Sequence, residues 1–163
     1  MTISEIMNEM IAYPGNTLHD IAHFMKVYTL AKTIGELEHL DSQTQMTLEV
    51  AAIVHDIACP LCREKYGNTN GKHQQEEGMI LAEEFLADKG LPYKMKERVV
   101  YLVGHHHTFT NVEGMDYQIL LEADYLVNAD ESSYPESSNR SFLNKVFKTA
   151  SGIAIMKSMY ELD

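Results

Sequence analysis

Residues 50–56, VAAIVHD, are the stretch from which the interpretation of this chain starts. The apolar run is typical of a buried helix, and it ends in the two polar side chains His55 and Asp56. A helix C-terminus carries the negative end of the helix dipole, so an aspartate there needs a positive partner. Because adjacent helical positions point about 100° apart, both side chains reach one partner only if it lies beyond the helix end. The pattern favours a cation as that partner.

Two further polar side chains lie in apolar stretches that are typical of helices. His23 borders the apolar face of a long helical pattern, and Asp124 lies within the apolar stretch 120–127. A lone histidine of this kind is more often a hydrogen-bonded structural residue, and a buried acid is usually paired. Arginine is scarce in this half of the chain, which holds only Arg98 and Arg140. Because burying these groups is costly without compensation, a divalent metal ion is the better candidate partner for them.

Three consecutive histidines, residues 105–107, follow the apolar run 99–103. His106 keeps the helical register of that run, so we expect it to face inward. The other two histidines then face solvent, or contact a substrate phosphate when they are protonated. Three neighbouring positions fan around a helix end, so at most two of these rings can face one point.

The secondary-structure pattern is helical from end to end. Apolar residues recur with a period of about 3.6, and no strand-like alternation persists. Turn-forming residues predict loops within 59–72 and 131–141. The sequence therefore predicts an all-α bundle of six or seven helices. We expect one domain over residues 1–163, with a C-terminal helix at about 141–161.

The composition excludes several classes of function. A hydrophobic content of 45% is ordinary for a globular protein. The net charge of −11 argues against binding to nucleic acid polymers, which requires clustered lysine and arginine. No apolar run approaches the roughly 20 residues that span a bilayer, and the N-terminus lacks a signal-peptide pattern. We therefore expect a cytoplasmic protein without membrane or nucleic-acid partners.

The two cysteines of the chain, Cys59 and Cys62, form one CxxC pair. This spacing alone is compatible with a redox pair or with part of a metal site. A redox pair normally lies in a βαβ setting, and a four-cysteine zinc site needs a second pair; neither is present in the sequence. We interpret both residues as ordinary thiols beside the site, with redox or metal binding as the second interpretation.

Four segments of the chain, in the right order, resemble the HD superfamily of metal-dependent phosphohydrolases. They are residues 23–27, 51–57, 103–106 and 122–124. The resemblance covers about residues 17–130 and implies a helical fold that holds one divalent metal ion. Family members usually hydrolyse phosphate esters, often nucleotides. The ligands that the resemblance implies are His23, His55, Asp56 and Asp124.

Two departures from the family pattern limit what is carried over. An Ala-Cys dipeptide stands where many relatives have Gly-Lys, so a phosphate-binding lysine is not carried over to this place. Relatives with two metals add a histidine four residues before a glycine on the next helix; here that place before Gly78 is Gln74, and His73 is one residue away. A second site through His73 and His106 is therefore the alternative to a single ion. The ion is Mn, Fe, Co, Ni, Zn or Mg, because mixed histidine and carboxylate ligands disfavour calcium.

The predicted reaction is metal-assisted hydrolysis of a small phosphorylated substrate such as a nucleotide. Asp56 would orient the attacking water, and His106 would protonate the leaving oxygen or hold the phosphate. The side chains that we expect to contact the substrate are Lys26, Arg63, Lys72 and His105.

Two other hypotheses stay open at this point. In the first, the chain is a metal-bearing nucleotide sensor or scaffold that binds its ligand without turnover. In the second, it is a purely structural helical protein whose histidines are incidental. The missing Gly-Lys dipeptide is the feature that favours the sensor.

Overall fold

The computed structural model describes residues 1–163 and consists of helices and the turns between them. Because no strand is present, the prediction of an all-α fold is confirmed. The structure has nine helices, so the predicted number of six or seven is wrong. In chain order they are α1 Ile3–Ile11, α2 Leu18–Leu37, α3 Ser42–Val54, α4 Cys59–Tyr66, α5 Gly71–Leu86, α6 Tyr93–Val103, α7 Met115–Glu131, α8 Glu136–Lys145 and α9 Ala150–Tyr160.

Two of the additional helices lie in segments that the sequence predicts as loops. Helix α4 occupies much of residues 59–72, and α8 occupies much of residues 131–141. Helix α4 has a proline in its first turn, where the missing N–H costs nothing. It ends at Gly67, whose φ of 72° is the left-handed conformation that favours glycine. The turn-forming residues therefore lie at the ends of a short helix and do not form a continuous loop.

The predicted C-terminal helix at about 141–161 is two helices in the structure, separated by residues 146–149. The break faces Glu122, a fully buried residue of α7. Its Oε2 accepts hydrogen bonds from the backbone N–H groups of Lys148, at 3.0 Å, and Thr149, at 3.1 Å. A carboxylate distant in sequence thus supports the break, and local periodicity carries no sign of it.

The core is built around α3 and α7. Every residue of α3 from 47 to 54 is buried, and so is every residue of α7 from 116 to 127. Helix α3 packs against α1, α2, α6 and α7, which surround it. A helix that is buried on all faces has no solvent side on which to place polar groups. The polar side chains of these two helices must therefore find partners inside the bundle.

None of the nine helices combines the length and the apolarity that crossing a membrane requires.

Candidate metal centre

Four polar side chains from α2, α3 and α7 converge inside the bundle. His23 lies on α2, His55 and Asp56 follow the last residue of α3, and Asp124 lies on α7. One possible ligand atom of each lies within 4.8 Å of those of the other three. We call these four residues the primary cluster.

The distances between the atoms of the primary cluster are short and similar. The Nε2 atom of His23 lies 3.1 Å from Oδ2 of Asp56 and 3.2 Å from Oδ1 of Asp124. The Nε2 atom of His55 lies 3.4 Å and 3.3 Å from the same two oxygens. Two imidazole nitrogens and two carboxylate oxygens thus come together, which is a donor set that suits first-row divalent metals.

Hydrogen bonds on the far side of each ring orient the two imidazoles. The Nδ1–H group of His55 donates to the carbonyl oxygen of Ala52 at 2.7 Å, and that of His23 donates to Oε1 of Glu131 at 2.7 Å. A proton on Nδ1 leaves the Nε2 lone pair for a cation. Pairing of a ring N–H with a carboxylate or a carbonyl is typical of metal-binding histidines.

The electrostatics of the primary cluster require a positive charge. Burial is the strongest influence on the pKa of both imidazoles and lowers it, but the two adjacent carboxylates together outweigh it. They raise the pKa of His23 to about 11 and that of His55 to about 10. Burial also opposes ionisation of the carboxyls, yet the imidazoles hold the pKa values of Asp56 and Asp124 below their usual range. Either protons on the imidazoles or a divalent cation can supply the compensating charge.

The raised histidine pKa values predict how chelator-treated protein responds to pH. The stabilisation from His23 and His55 is complete below their unfolded pKa of 6.5, and it is lost as the pH rises towards about 10 to 11. We therefore expect the Tm of metal-free protein to fall between pH 6.5 and pH 10, measured by thermal unfolding in chelator. In a His55→Asn variant the fall should be smaller. Equal Tm values from pH 6.5 to pH 10 would contradict the raised pKa values of His23 and His55.

A second group of possible ligands adjoins the primary cluster. Asp56, His106 and His107 each bring one such atom within 4.8 Å of the other two. The Nε2 atom of His106 lies 3.2 Å from Oδ1 of Asp56, and its Nδ1–H donates to the carbonyl oxygen of Val103 at 2.8 Å. His106 is buried and faces inward, as its helical register predicts. Asp56 therefore directs Oδ2 to the primary cluster and Oδ1 to this second group.

The structure corrects the predicted composition of a second site. It groups His107, not His73, with His106. The ring of His73 stacks on Tyr66 with a centroid distance of 3.8 Å, and its buried Nδ1 has no hydrogen-bond partner. Gln74 is the α5 side chain that meets the second group, because its Oε1 accepts from Nε2 of His107 at 2.9 Å. A step of one residue along a helix turns the side chain by about 100°, which explains the difference.

The surroundings of His107 disfavour the protonated form of its ring. Burial and the neighbouring His106 lower the pKa of His107 to about 4. This ring therefore does not supply the positive charge towards a phosphate that the sequence suggests for a protonated histidine at this position. As a neutral imidazole it remains suited to binding a metal ion.

Two adjoining cavities meet at the primary cluster. The smaller has a volume of about 280 Å³, and most of the residues that line it are polar, including His23, Asp56 and Asp124. The larger has a volume of about 650 Å³ and lies between α7 and α8. His107, Asp124 and Asn128 line both cavities. A ligand bound across the junction would thus touch the primary cluster with one part and the larger cavity with the other.

Of the four side chains that the sequence predicts to contact substrate, only Arg63 lines the smaller cavity. It donates to both carboxylate oxygens of Asp20, at 3.0 Å and 2.6 Å. Lys26 lies outside the cavity and contacts Oε2 of Glu131 at 3.2 Å. Lys26 therefore contacts the partner of His23 and does not line the smaller cavity.

Lys72 and His105, two of the predicted substrate contacts, line neither cavity. Lys72 is an exposed residue of the first turn of α5 and lines neither cavity. The ring of His105 stacks on Tyr101 with a centroid distance of 3.9 Å, and its Nδ1–H donates to the Tyr101 carbonyl oxygen at 2.7 Å. In this run of three histidines only the second and third approach Asp56.

Cys59 and Cys62 are both buried free thiols, and Cys59 lines the smaller cavity. Burial is the main reason that the pKa of Cys59 is raised, and the charge of Asp56 adds to it. A thiol in this setting stays protonated and is a poor nucleophile or ligand. Burial and the raised pKa of both thiols support their interpretation as ordinary thiols, which stays a prediction.

Two residues of the site were missed in the sequence, although a signal for them exists. Asn128 and Glu131 follow Asp124 by four and seven positions on α7, which places all three on one helical face. Asn128 lines both cavities, and Glu131 binds His23. A polar residue one or two turns after a candidate ligand is a pattern that could have identified them.

Glu131→Gln is expected to lower metal affinity by roughly 10- to 100-fold, the size seen when a partner of a metal-binding histidine is changed. The variant keeps the size of the side chain but removes the charge that supports the His23 imidazole. Competition with a metal-binding dye measures the affinity. Asp130→Asn, an exposed position next to it, is the matched control. Equal affinities in both variants would show that Glu131 does not support the ligand.

Comparison with known proteins identifies the family. The sequence profile of the HD domain matches residues 17–137, which is more than half of the chain. The chain therefore belongs to the HD domain family, and the match includes the range 17–130 over which the sequence shows the resemblance. A search of curated proteins returned no match.

Two solved structures share the fold. A predicted HD superfamily hydrolase from an uncultured Thermotogales bacterium aligns with a TM-score of 0.68 and 24% identity, covering 98% of this chain and 83% of the other. The Lin1889 protein from Listeria innocua aligns with a TM-score of 0.64 and 17% identity, covering 99% of this chain and 91% of the other.

Proposed function

We propose that this protein is a metal-dependent phosphohydrolase that acts on a small phosphorylated substrate, a nucleotide or another phosphate ester. The observation that carries the proposal is the convergence of His23, His55, Asp56 and Asp124 at the junction of two cavities. Membership of the HD domain family supports it, and so does the name of the Thermotogales relative, an HD superfamily hydrolase.

The donor chemistry of the site fits a divalent metal ion. Two imidazoles and two carboxylates suit Mn, Fe, Co, Ni or Zn, allow Mg, and disfavour Ca. His23, His55, Asp56 and Asp124 would hold one ion, and Asp56, His106 and His107 would hold a second where two bind. When bound, such an ion supplies an activated water and polarises a phosphoryl oxygen.

Asp56 is the residue that we propose orients the attacking water. Its carboxylate lies between the two groups, and 24% of the side chain is exposed to the smaller cavity, whereas the side chains of His55 and His106 are fully buried. A carboxylate oxygen that faces the cavity can accept a hydrogen bond from water and fix the direction of its lone pair.

Where one ion binds, His106 is the proposed proton donor to the leaving oxygen; where two bind, its Nε2 atom is a ligand instead. Its Nδ1–H is fixed by the Val103 carbonyl oxygen, so the contact of Nε2 with Oδ1 of Asp56 is a hydrogen bond only when Nε2 carries a proton. A proton held at this atom, beside the carboxylate that orients the water, is placed for general acid catalysis.

Arg63 is the proposed contact to the phosphoryl group. No other lysine or arginine lines the smaller cavity. Asp20 holds the guanidinium through two hydrogen bonds, and the Asp20 carboxylate also accepts from the backbone N–H of Thr17 at the start of α2. This chain of contacts fixes the planar group, so Arg63 would contribute orientation as well as charge.

A metal-bearing nucleotide sensor without turnover is the second candidate function. One observation favours it: Arg63, the single cation in the smaller cavity, is already paired with Asp20. An enzyme that stabilises developing negative charge would then depend on bound metal almost alone.

Turnover assays separate these functions. Untagged protein is treated with chelator, reloaded with Mn²⁺ or another of the candidate metals, and screened against phosphorylated metabolites. Release of phosphate that chelator abolishes and metal restores supports the phosphohydrolase. Nucleotide binding in calorimetry without any turnover supports the sensor. A wild-type protein without bound metal, unchanged by His55→Ala, would indicate a purely structural protein.

A cytoplasmic location stays a prediction. The absence of membrane and nucleic-acid partners also stays a prediction, which the net charge of −11 supports.

A further inference from the structure

The larger cavity differs in chemistry from the metal centre beside it. Four aromatic side chains line it: Phe109, Tyr125, Tyr134 and Phe142. No lysine or arginine lines it, and its one acid, Asp124, belongs to the primary cluster. A cavity of this composition suits an uncharged, partly apolar group.

The four aromatic rings form one wall of the larger cavity, and two of them are partly exposed. Tyr125 and Phe142 stack with a centroid distance of 3.9 Å and an angle of 11°. Phe109 meets Phe142 edge to face at 5.1 Å, and Tyr134 lies 5.6 Å from Tyr125. Phe109 and Tyr134 stay 47% and 41% exposed. Half-exposed rings at the wall of a cavity offer faces on which a planar ligand can stack.

Polar groups border the same cavity. Ser137, Ser138 and Ser141 lie on the side of α8 that faces it, and Asn128 lies where it joins the smaller cavity. None of these four side chains hydrogen-bonds to another group of the protein. Hydroxyl and carboxamide groups of this kind both donate and accept, so they can recognise the edge of a heterocycle or a sugar hydroxyl.

The distribution of cations limits the number of phosphate groups. The smaller cavity offers Arg63 and the primary cluster, and the larger cavity offers no cation at all. A second or third phosphate extending into the larger cavity would lie against the aromatic rings without a positive partner, which is costly. The charges therefore fit one phosphoryl group at the primary cluster and a neutral remainder.

We propose that the larger cavity binds a planar aromatic ring of the substrate, which makes the substrate a phosphate monoester with a ring-bearing leaving group. This inference rests on the proposed phosphohydrolase function. Nucleoside monophosphates and aryl phosphates share the required chemistry. Water adds to phosphorus, the ester P–O bond breaks, and the leaving oxygen takes a proton, which gives inorganic phosphate and the ring-bearing alcohol.

Steady-state kinetics with Mn²⁺ test the inference through four probes. AMP and phenyl phosphate carry a ring, ribose 5-phosphate carries none, and ATP carries additional phosphates. We expect KM to be roughly tenfold lower for AMP than for ribose 5-phosphate, the size expected for one base–aromatic stack. Turnover of AMP but not of phenyl phosphate assigns a nucleoside, and turnover of both assigns a general aromatic ring. A lower KM for ATP than for AMP would overturn the assignment to monophosphates.

Variants of the two exposed rings test whether the ring of the substrate binds in the larger cavity. Phe109→Ala and Tyr134→Ala should each raise KM for AMP, by at most the roughly tenfold value of the whole stack, and leave KM for ribose 5-phosphate unchanged. Tyr93→Ala is the matched control, because Tyr93 is 68% exposed on α6 and lines neither cavity. Equal changes for both substrates would show a general structural effect and overturn the assignment of the cavity.

Adenosine separates a failure of this inference from a failure of the proposed function. It has no phosphoryl group, so its binding in calorimetry tests the cavity without turnover. Binding to the wild type that is lost in Phe109→Ala supports the cavity even if no phosphate ester is hydrolysed. Absence of adenosine binding, together with equal KM for AMP and ribose 5-phosphate, overturns the inference and leaves the phosphohydrolase proposal standing.

Discussion

His55→Ala is expected to abolish stable metal binding and to reduce turnover by more than about 100-fold. Even the outer partners of a metal-binding histidine account for about 10- to 100-fold, so loss of the ring itself should cost more. The Nε2 atom of His55 lies within 3.4 Å of both Asp56 and Asp124, so its removal leaves His23 as the remaining imidazole of the primary cluster. Elemental analysis of dialysed protein measures the metal, and phosphate release measures turnover.

A folding defect must be separated from loss of the ligand, because His55 is 1% exposed. His39→Asn is the matched control: it is an exposed histidine whose φ of 59° asparagine tolerates. Circular dichroism of both variants reports on the fold. A helical His55→Ala protein that retains bound metal and full turnover would remove the basis of the proposed function.

Glu122→Ala should destabilise the protein by about 3–5 kcal/mol, because it leaves buried donors without an acceptor. The carboxylate is fully buried and accepts from the Gln118 side chain, from the backbone N–H groups of Lys148 and Thr149, and from the Thr149 hydroxyl. Urea unfolding measures the loss, and the Tm should fall by about 10 °C for a chain of this size.

Two comparisons make the stability prediction specific. Glu136→Ala removes an exposed glutamate whose ion pair with Arg140 contributes little, so its stability should stay near that of the wild type. Under conditions where Glu122→Ala is folded it should also retain metal, because Glu122 is not in the primary cluster, although Asp124 is only two residues away. Unchanged stability of Glu122→Ala would show that these hydrogen bonds do not support α9.

The long helices were predictable because their signals are local. Helix α2 begins after a Thr17–Asp20 capping box, and α3 begins after Asp41, which accepts a hydrogen bond from the N–H of Thr44. Helix α8 is short and mostly polar, and a tertiary contact holds it: Tyr125 on α7 donates to Oδ1 of Asn139 at 2.9 Å. Such a contact has no counterpart in the neighbouring sequence, so the segment looked like a loop.

In the site, as in the helices, some features follow from the local sequence and others depend on contacts between distant residues. His23, His55, Asp56 and Asp124 were recognisable because each interrupts an apolar helical pattern, and the structure brings them together. Their role as metal ligands stays a prediction.

Side-chain direction at helix ends was not predictable from spacing. His73, His105 and Lys72 carry plausible chemistry, but the turn of each helix directs them elsewhere. The rotation per residue is about 100°, so an uncertainty of one position in a helix boundary is enough to move a side chain out of a site.

The Nε2 atom of His23 meets Oδ1 of Asp124 across 101 positions of the chain. During synthesis on a ribosome, an ion held by all four residues would therefore be captured only after α7 has emerged and docked against the two earlier helices. Nascent and unfolded chains lack the complete site, because no short segment contains all four residues of the primary cluster. Since a ligand that binds only the folded chain stabilises it by mass action, resistance of this protein to proteases should rise with the cellular supply of the metal.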